Sequence, residues 1–394
     1  MSFHYQAPLN PTGFGVCGRG LFRGLEGLGL APQLTPLYGV DLDQEAGDDP
    51  SLVQAAAARR VDPRADVLKV WHHHCDLTDW AGRGRRHLYT FFEVDRLPSG
   101  QVEDLNRQTD EVWAASRWGC EVLRASGYEH ELRVLPGGVD RGVFHAAVRP
   151  AAVEGLRPET FVFVTAGKWS LNKGHDILLQ AFHSAFRPSD DVALVCQCFN
   201  SVRGGDFDGP TQSGRWARWF MRSDLGRAGK IFVGERPLPS QVDLAALFAR
   251  ADCGVFSFRA EGFCLELFEM AAMGKPVIAT AATAPAEYLN EIGAVGVAAD
   301  GTEAAYDPPF FHGEAEWARL GPTYVRRLAD AMRAAFEAGP TKNVRGQSGP
   351  WDWGRVASTA AGYMGVCHHL PSAPTSPTDS PVRTAFSPSS PPPA

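Results

Sequence analysis

Phe161-Val162-Phe163-Val164-Thr165-Ala166 runs directly into Gly167-Lys168-Trp169-Ser170-Leu171-Asn172-Lys173-Gly174-His175-Asp176. The first run is aromatic or β-branched at every position but Ala166, as suits a strand buried on both faces. A glycine-bounded loop follows, then a helical stretch from His175 to Phe186. Strand, loop and helix make one βα unit. The pattern recurs at Val192–Gln197, Ile231–Val233, Cys253–Ser257 and Pro276–Ala279, with another helical stretch from Ser240 to Arg250. Such alternation predicts a parallel sheet flanked by helices.

An earlier set precedes it: Asp66–Trp71, His87–Phe92, Glu111–Ser116 and Leu132–Leu135, broken by Pro136-Gly137-Gly138-Val139-Asp140. Proline and paired glycines end a regular pattern, so this break is the expected close of the first unit. Two doubly wound α/β domains in tandem is the economical reading, and 394 residues suit two cores.

Composition narrows the functional classes. Hydrophobic content of 44% with 21% charged residues is that of a globular protein. A formal net charge of −7 argues against a general nucleic-acid coat or an anionic membrane surface. Cys17, Cys75, Cys120, Cys196, Cys198, Cys253, Cys264 and Cys367 are scattered without a C-x-x-C pair and read as reduced thiols. No apolar run reaches the ~18–20 residues of a membrane span, and the first residues lack a secretory signal. The expected location is cytoplasmic. From about Pro371 the chain turns to Pro, Ser and Thr, which predicts a disordered tail.

Ligands of doubly wound domains bind at the carboxyl ends of the strands, where the Lys168–Lys173 loop lies. Two lysines there can converge on a diphosphate as point charges, aided by the amides of the next helix. A solvated loop reads the same. After the strand at 253–257 comes Glu261-Gly262-Phe263-Cys264-Leu265, a helix from Leu265 to Met273, then Gly274-Lys275-Pro276. Gly262 allows close backbone approach, and the helix points free amides at whatever sits there. Glu261 and Glu269 suit a polyol ligand, because a carboxylate accepts from paired hydroxyls. A helix-dipole partner and a solvated glutamate would give the same letters.

The whole run Glu261 to Ala279 resembles the E-G-F-G-L-x-x-x-E-A-M-A-x-G-x-P-V-I-A signature of glycosyltransferase family 4. Gly167–Gly174 resembles the family's G-R-x-x-x-x-K-G stretch, Trp113–Ser116 its v-w-x-x-S segment, and Pro136–Asp140 its P-x-G-V-D hinge. Pro11-Thr12-Gly13-Phe14-Gly15 resembles its glycine-rich loop. The matches fall in order across nearly all of residues 1–365. The resemblance implies a GT-B architecture: two Rossmann-like doubly wound domains facing a cleft, with a C-terminal helix returning to the first. It implies an acceptor-binding domain over 1–150, a nucleotide-sugar-binding domain over 151–345, a C-terminal helix over 346–368 and a disordered tail over 369–394.

It also implies a retaining transferase that takes a hexose or similar sugar from a UDP- or GDP-linked donor, with no other cofactor and no metal. Glu261 would bind the donor sugar and Glu269 the ribose. Lys168 and Lys173 would hold the diphosphate, with Gly13, Gly15, Gly262, Phe263, Cys264 and Leu265 shaping the donor site. Three departures stand out: Lys168 where the family has arginine, Cys264 where it has glycine, and Glu266 where it has proline. In His72-His73-His74-Cys75, the family's donor-contacting histidine fits His72 and His74 best. Contiguous histidines seldom share a metal, and no second ligand cluster is evident in the sequence. Glu93 and Asp95, after another strand, are candidates to orient an acceptor hydroxyl.

The acceptor is open among a glycan, a lipid, a small molecule and a hydroxymethylated base in DNA. The last draws on Arg215-Trp216-Ala217-Arg218-Trp219-Phe220-Met221-Arg222, whose arginines and aromatics also fit an amphipathic helix. A reading of another class is a non-catalytic sugar-nucleotide or glycan-binding protein.

Overall fold

Strand β1 (His4–Leu9) is buried along its whole length, although His4, Gln6 and Pro8 interrupt the continuous apolar run that burial on both faces would predict. It pairs in parallel with β2 (Gln33–Val40) and with β3 (Val67–His72). Pro36 is tolerated in β2 because β2 is an edge strand. With β4 (Arg86–Phe91), β5 (Glu111–Ala114) and β6 (Glu131–Val134) they form a six-stranded parallel sheet in the order β2-β1-β3-β4-β5-β6. The computed structural model describes residues 2–199, 218–234, 236–308 and 310–366. The proline-rich tail and the Arg215–Ala217 part of the basic segment lie outside the described residues.

The second sheet comprises β7 (Phe161–Lys168), β8 (Val192–Phe199), β9 (Ile231–Gly234), β10 (Cys253–Phe256), β11 (Val277–Thr280) and β12 (Val295–Val297), in the order β12-β11-β10-β7-β8-β9. All its pairings are parallel. In each sheet the chain reverses direction beside the first strand, at β1/β3 and at β7/β10. Such switch points open a crevice at the strands' carboxyl ends. A two-stranded antiparallel hairpin, β13 (Thr302–Asp307) and β14 (Phe311–Ala318), extends from the second domain and has no counterpart in the sequence reading.

After helix Pro322–Ala338 the chain passes through a short helix, Val344–Ser348, and ends its described course in helix Trp353–Tyr363. That last helix packs on the first domain, against helix Gly13–Gly27. Two glycines make the approach possible: a Cβ at Gly20 would lie 2.3 Å from the Trp353 ring, and one at Gly24 would lie 2.6 Å from the Ala357 Cβ. One hydrophobic core holds Leu21 and Leu25 together with Trp353, Val356 and Ala360. No described helix is long and apolar enough to cross a membrane.

Candidate active site

Between the two switch points lies a cavity of about 640 Å³, a volume suited to a nucleotide-sized ligand. From the first domain it is walled by Gly13, Phe14, the three histidines and Glu93. From the second come Lys168, Lys173, the run Glu261–Glu266 and Phe310.

Helix Gly13–Gly27 starts with Thr12 as its cap, whose hydroxyl accepts the Gly15 amide at 3.2 Å. Gly13 has open space where a Cβ would stand and borders the cavity. Gly15 does not border it: a Cβ there would lie 2.2 Å from the Asn10 carbonyl oxygen. Its glycine serves the packing of the loop instead of an approach to ligand.

His72 leads the turn after β3 and stacks at 4.2 Å on Phe14, while its Nδ1 accepts the His74 amide at 3.2 Å. The His73 and His74 rings lie 3.9 Å apart, and His74 packs on Phe310 at 4.7 Å. All three histidines border the cavity, so His73 joins the two singled out from sequence. Burial pushes all three imidazoles down, His74 to about 3, and the nearby Lys168 charge adds to it. They are neutral in the physiological range. The turn and β4 also bring ligand atoms of His73, His74 and Glu93 within 4.8 Å of one another. Glu93, from the loop after β4, is a neighbour of the histidines that the sequence did not reveal. The positive charge of Lys168 acts on the same rings and opposes a cation there.

Glu93 faces the cleft; Asp95 does not. The Asp95 carboxylate accepts the Glu316 amide at 2.7 Å, and its own amide donates to the Glu316 carbonyl at 3.2 Å. It ties the first domain to the hairpin and is absent from the cavity wall.

On the other side Lys168 closes β7, and Lys173 stands just before helix His175–Ala185. Gly174 is left-handed at that helix start, and a Cβ there would collide with the Ser257 carbonyl oxygen. The Lys173 ammonium is paired with the Glu261 carboxylate. Burial raises the Glu261 carboxyl to about 7 although the Lys173 charge opposes it, and Glu261 and Glu266 hold Lys173 protonated against its own burial.

Arg259, the first residue of this segment, does not reach for ligand. Its guanidinium grips Asp176 through two bonds of 2.8 Å and Glu303 at 2.9 Å, fixing the loop's base. The Glu261 amide donates to Thr283 Oγ1 at 3.1 Å. Gly262 is needed for a different approach from the one expected: a Cβ would lie 2.6 Å from Phe91 Cβ and 3.0 Å from the Phe92 nitrogen. The glycine lets the two domains touch. Phe263 is buried, stacked at 4.1 Å on Phe268, with Gly137 of the hinge making room for its ring.

Cys264 caps helix Leu265–Ala272 in a left-handed conformation, φ +70°, with no side-chain hydrogen bond to the first turn. The opening amides of that helix are thus uncapped by any side chain beside the cavity, where Leu265 and Glu266 form the wall. Glu269 is 4% exposed and is not on that wall. Burial raises its carboxyl well above the usual range, with Glu266 adding to the shift. Glu266, read from sequence only as a departure, is the carboxylate that the first turn presents to the cavity.

The fold and part of the sequence find parallels in known proteins. Residues 159–306 match the family described as Glycosyl transferases group 1. A D-inositol 3-phosphate glycosyltransferase of Paenarthrobacter aurescens (strain TC1) is 27% identical over 267 residues, covering 67% of this chain. The family match lies within the second domain of the chain, and the fold of the whole is that of the GT-B glycosyltransferases. The Paenarthrobacter match spans 53% of that protein, so about half the length of this curated relative is represented. Among solved structures, sucrose-phosphate synthase from Thermosynechococcus elongatus superposes with a TM-score of 0.58 at 15% identity, covering 92% of this chain and 98% of that one. Anabaena HepE in complex with UDP and glucose gives 0.59 at 13% identity, covering 93% and 100%. An α,α-trehalose 6-phosphate synthase from Burkholderia multivorans gives 0.61 at 12%, covering 92% and 96%. These identities speak for the fold alone.

Phe310, Glu266 and His73 were not singled out from sequence as site residues. Phe310 carries no local signal, because its place in the cleft depends on a hairpin made from a distant stretch.

Proposed function

We propose that the chain is a retaining glycosyltransferase that moves a hexose from a nucleotide-diphosphate sugar to an acceptor hydroxyl. One observation carries the reading: two lysines, an uncapped helix start and Glu261 converge on one cavity at both switch points. Cations and free amides suit a diphosphate, and a buried carboxylate suits sugar hydroxyls. HepE, which shares the fold, is solved in complex with UDP and glucose, and this favours a UDP-linked donor.

In this reading Lys168, Lys173 and the amides at Leu265 and Glu266 stabilise the charge that builds on the departing diphosphate. The bond from the anomeric carbon to the phosphate oxygen breaks, and a bond to the acceptor oxygen forms on the same face. The acceptor's proton passes to a phosphate oxygen. Glu261, paired with Lys173, orients the sugar and keeps that ammonium charged. Glu93 and the neutral histidines line the acceptor side. Glu269, buried behind the first turn, reaches the ribose only if its side chain turns toward the cavity, and Glu266 is the better-placed carboxylate.

The test is a panel of UDP- and GDP-linked hexoses, read by thermal shift and by chromatography of released nucleotide. A matching donor raises the melting temperature and is consumed, since ligand bound only to the folded state stabilises it. Stabilisation by none of them, with no nucleotide released, would overturn the reading.

A further inference from the structure

The hairpin β13–β14 is tied to both domains. Glu303 pairs with Arg259, and the Asp307 carboxylate accepts the Leu171 amide at 2.8 Å, so its base and tip are fixed to the donor-side loops. Glu316 exchanges two hydrogen bonds with Asp95 of the first domain. Ala305, Phe311 and Trp317 share a buried cluster with Phe92, Val94 and Leu97. The tip, Phe310, therefore enters the cleft from a doubly anchored support.

Its ring meets Lys168. The Lys168 ammonium lies 4.8 Å from the Phe310 ring centroid, and the His74 ring packs at 4.7 Å. The two lysines of the loop are thus held in opposite ways. Lys173 is paired with a carboxylate. Among the described residues Lys168 has no carboxylate within ion-pair distance. An aromatic face attracts an ammonium through its quadrupole but does not neutralise it. A phosphate arriving beside Lys168 has no resident anion to displace. The ring also restricts a flexible four-carbon stem, which reduces the ordering needed on binding.

We infer that Phe310 is a positioning residue for Lys168, holding its ammonium in the cleft, out of ion-pair contact with any described carboxylate, for a donor diphosphate. The inference rests on reading the cleft as a nucleotide-diphosphate site. Phe310 acts through Lys168, so its effect belongs to the diphosphate part of the ligand and disappears when the lysine is gone.

The experiment is calorimetric titration of the full chain with UDP, GDP and UMP, using the wild type, Phe310→Leu, Phe310→Trp, Lys168→Gln and the double variant F310L/K168Q. Circular dichroism checks that each variant is folded. The better nucleoside diphosphate should bind Phe310→Leu about tenfold more weakly, within the range of a partly desolvated cation–π contact. Phe310→Trp should restore it, UMP should change by less than about twofold, and F310L should add nothing to K168Q. Unchanged diphosphate binding in Phe310→Leu overturns the inference, as do an equal loss for UMP or additive losses in the double variant. A wild type that binds neither diphosphate overturns the nucleotide reading itself, and this inference with it.

Discussion

Lys173 and Glu261 form an ion pair at the meeting of two loops, with the glutamate side chain 6% exposed and the lysine 18%. The pair joins the loop after β7 to the loop after β10, so the residues proposed to hold diphosphate and sugar are mutually fixed before any ligand arrives. From sequence, alanine at either position is expected to abolish transfer and spare the fold. The buried pairing changes that expectation. Lys173→Ala leaves Glu261 beside Glu266 and Glu93 without its cation, and should cost roughly 3 kcal/mol of stability. Urea denaturation measures it; Glu261→Gln, which keeps shape, should lose transfer with a smaller stability loss.

Glu261 supplies a pH signature. Its carboxyl is raised from 4.5 to about 7 by burial, so the folded protein binds more protons there than the unfolded chain between those values. Stability from this group falls as pH rises through that window. Lys173, shifted upward, keeps its proton throughout and loses its contribution only above the ordinary lysine range. If the ionised carboxylate binds sugar hydroxyls, donor turnover should rise with pH to a plateau above about 7. Glu261→Gln, inactive at every pH, should flatten the melting-temperature profile across that window.

Cys264 adopts φ +70°, a conformation that strains an L-residue by about 1 kcal/mol or more. Cys264→Gly should therefore raise the melting temperature, by about 2–4 °C for a domain of this size. Cys264→Val, branched at Cβ, should lower it. Calorimetry of the three proteins orders them.

Gly262→Ala places a methyl group 2.6 Å from Phe91 Cβ across the domain boundary. Overpacking of this kind costs about 1–3 kcal/mol, and here the strain is relieved by parting the domains. Turnover should fall strongly. Small-angle scattering should show a larger radius of gyration for the variant; an unchanged radius with full activity would contradict the role given to this glycine.

The second sheet was legible because β7, β8 and β10 are apolar on both faces, and helices follow β7 and β10. β1 and β2 were not, since His4, Gln6 and Pro8 break the apolar run of β1 and Pro36 argues against a strand at β2. The hairpin was missed for a related reason: strands such as Thr302–Asp307 contain glutamate and alanine, which carry little β preference. In the site, Lys168, Lys173 and Glu261 could be located from loops at strand ends. The purposes of Gly262 and Arg259 could not, because each answers a partner far along the chain, Phe91 of the opposite domain and Asp176, and that of Gly15 depends on how the loop folds back over Asn10. Asp95 looked like an acceptor ligand from its position after β4, yet Glu316 claims it. Glu269 sits at the spacing of a ligand contact, but only the packing of helix Leu265–Ala272 decides which turn faces the cavity.

The glycine-lined seat for Trp353 on helix Gly13–Gly27 has a consequence for synthesis. Residues of helix Gly13–Gly27 and residues of helix Trp353–Tyr363, far apart in the chain, complete one hydrophobic core between them. On the ribosome, the second domain can close its sheet while the first still lacks Trp353, Val356 and Ala360. The apolar groove on helix Gly13–Gly27 is therefore covered only once helix Trp353–Tyr363 has been made and has returned to it.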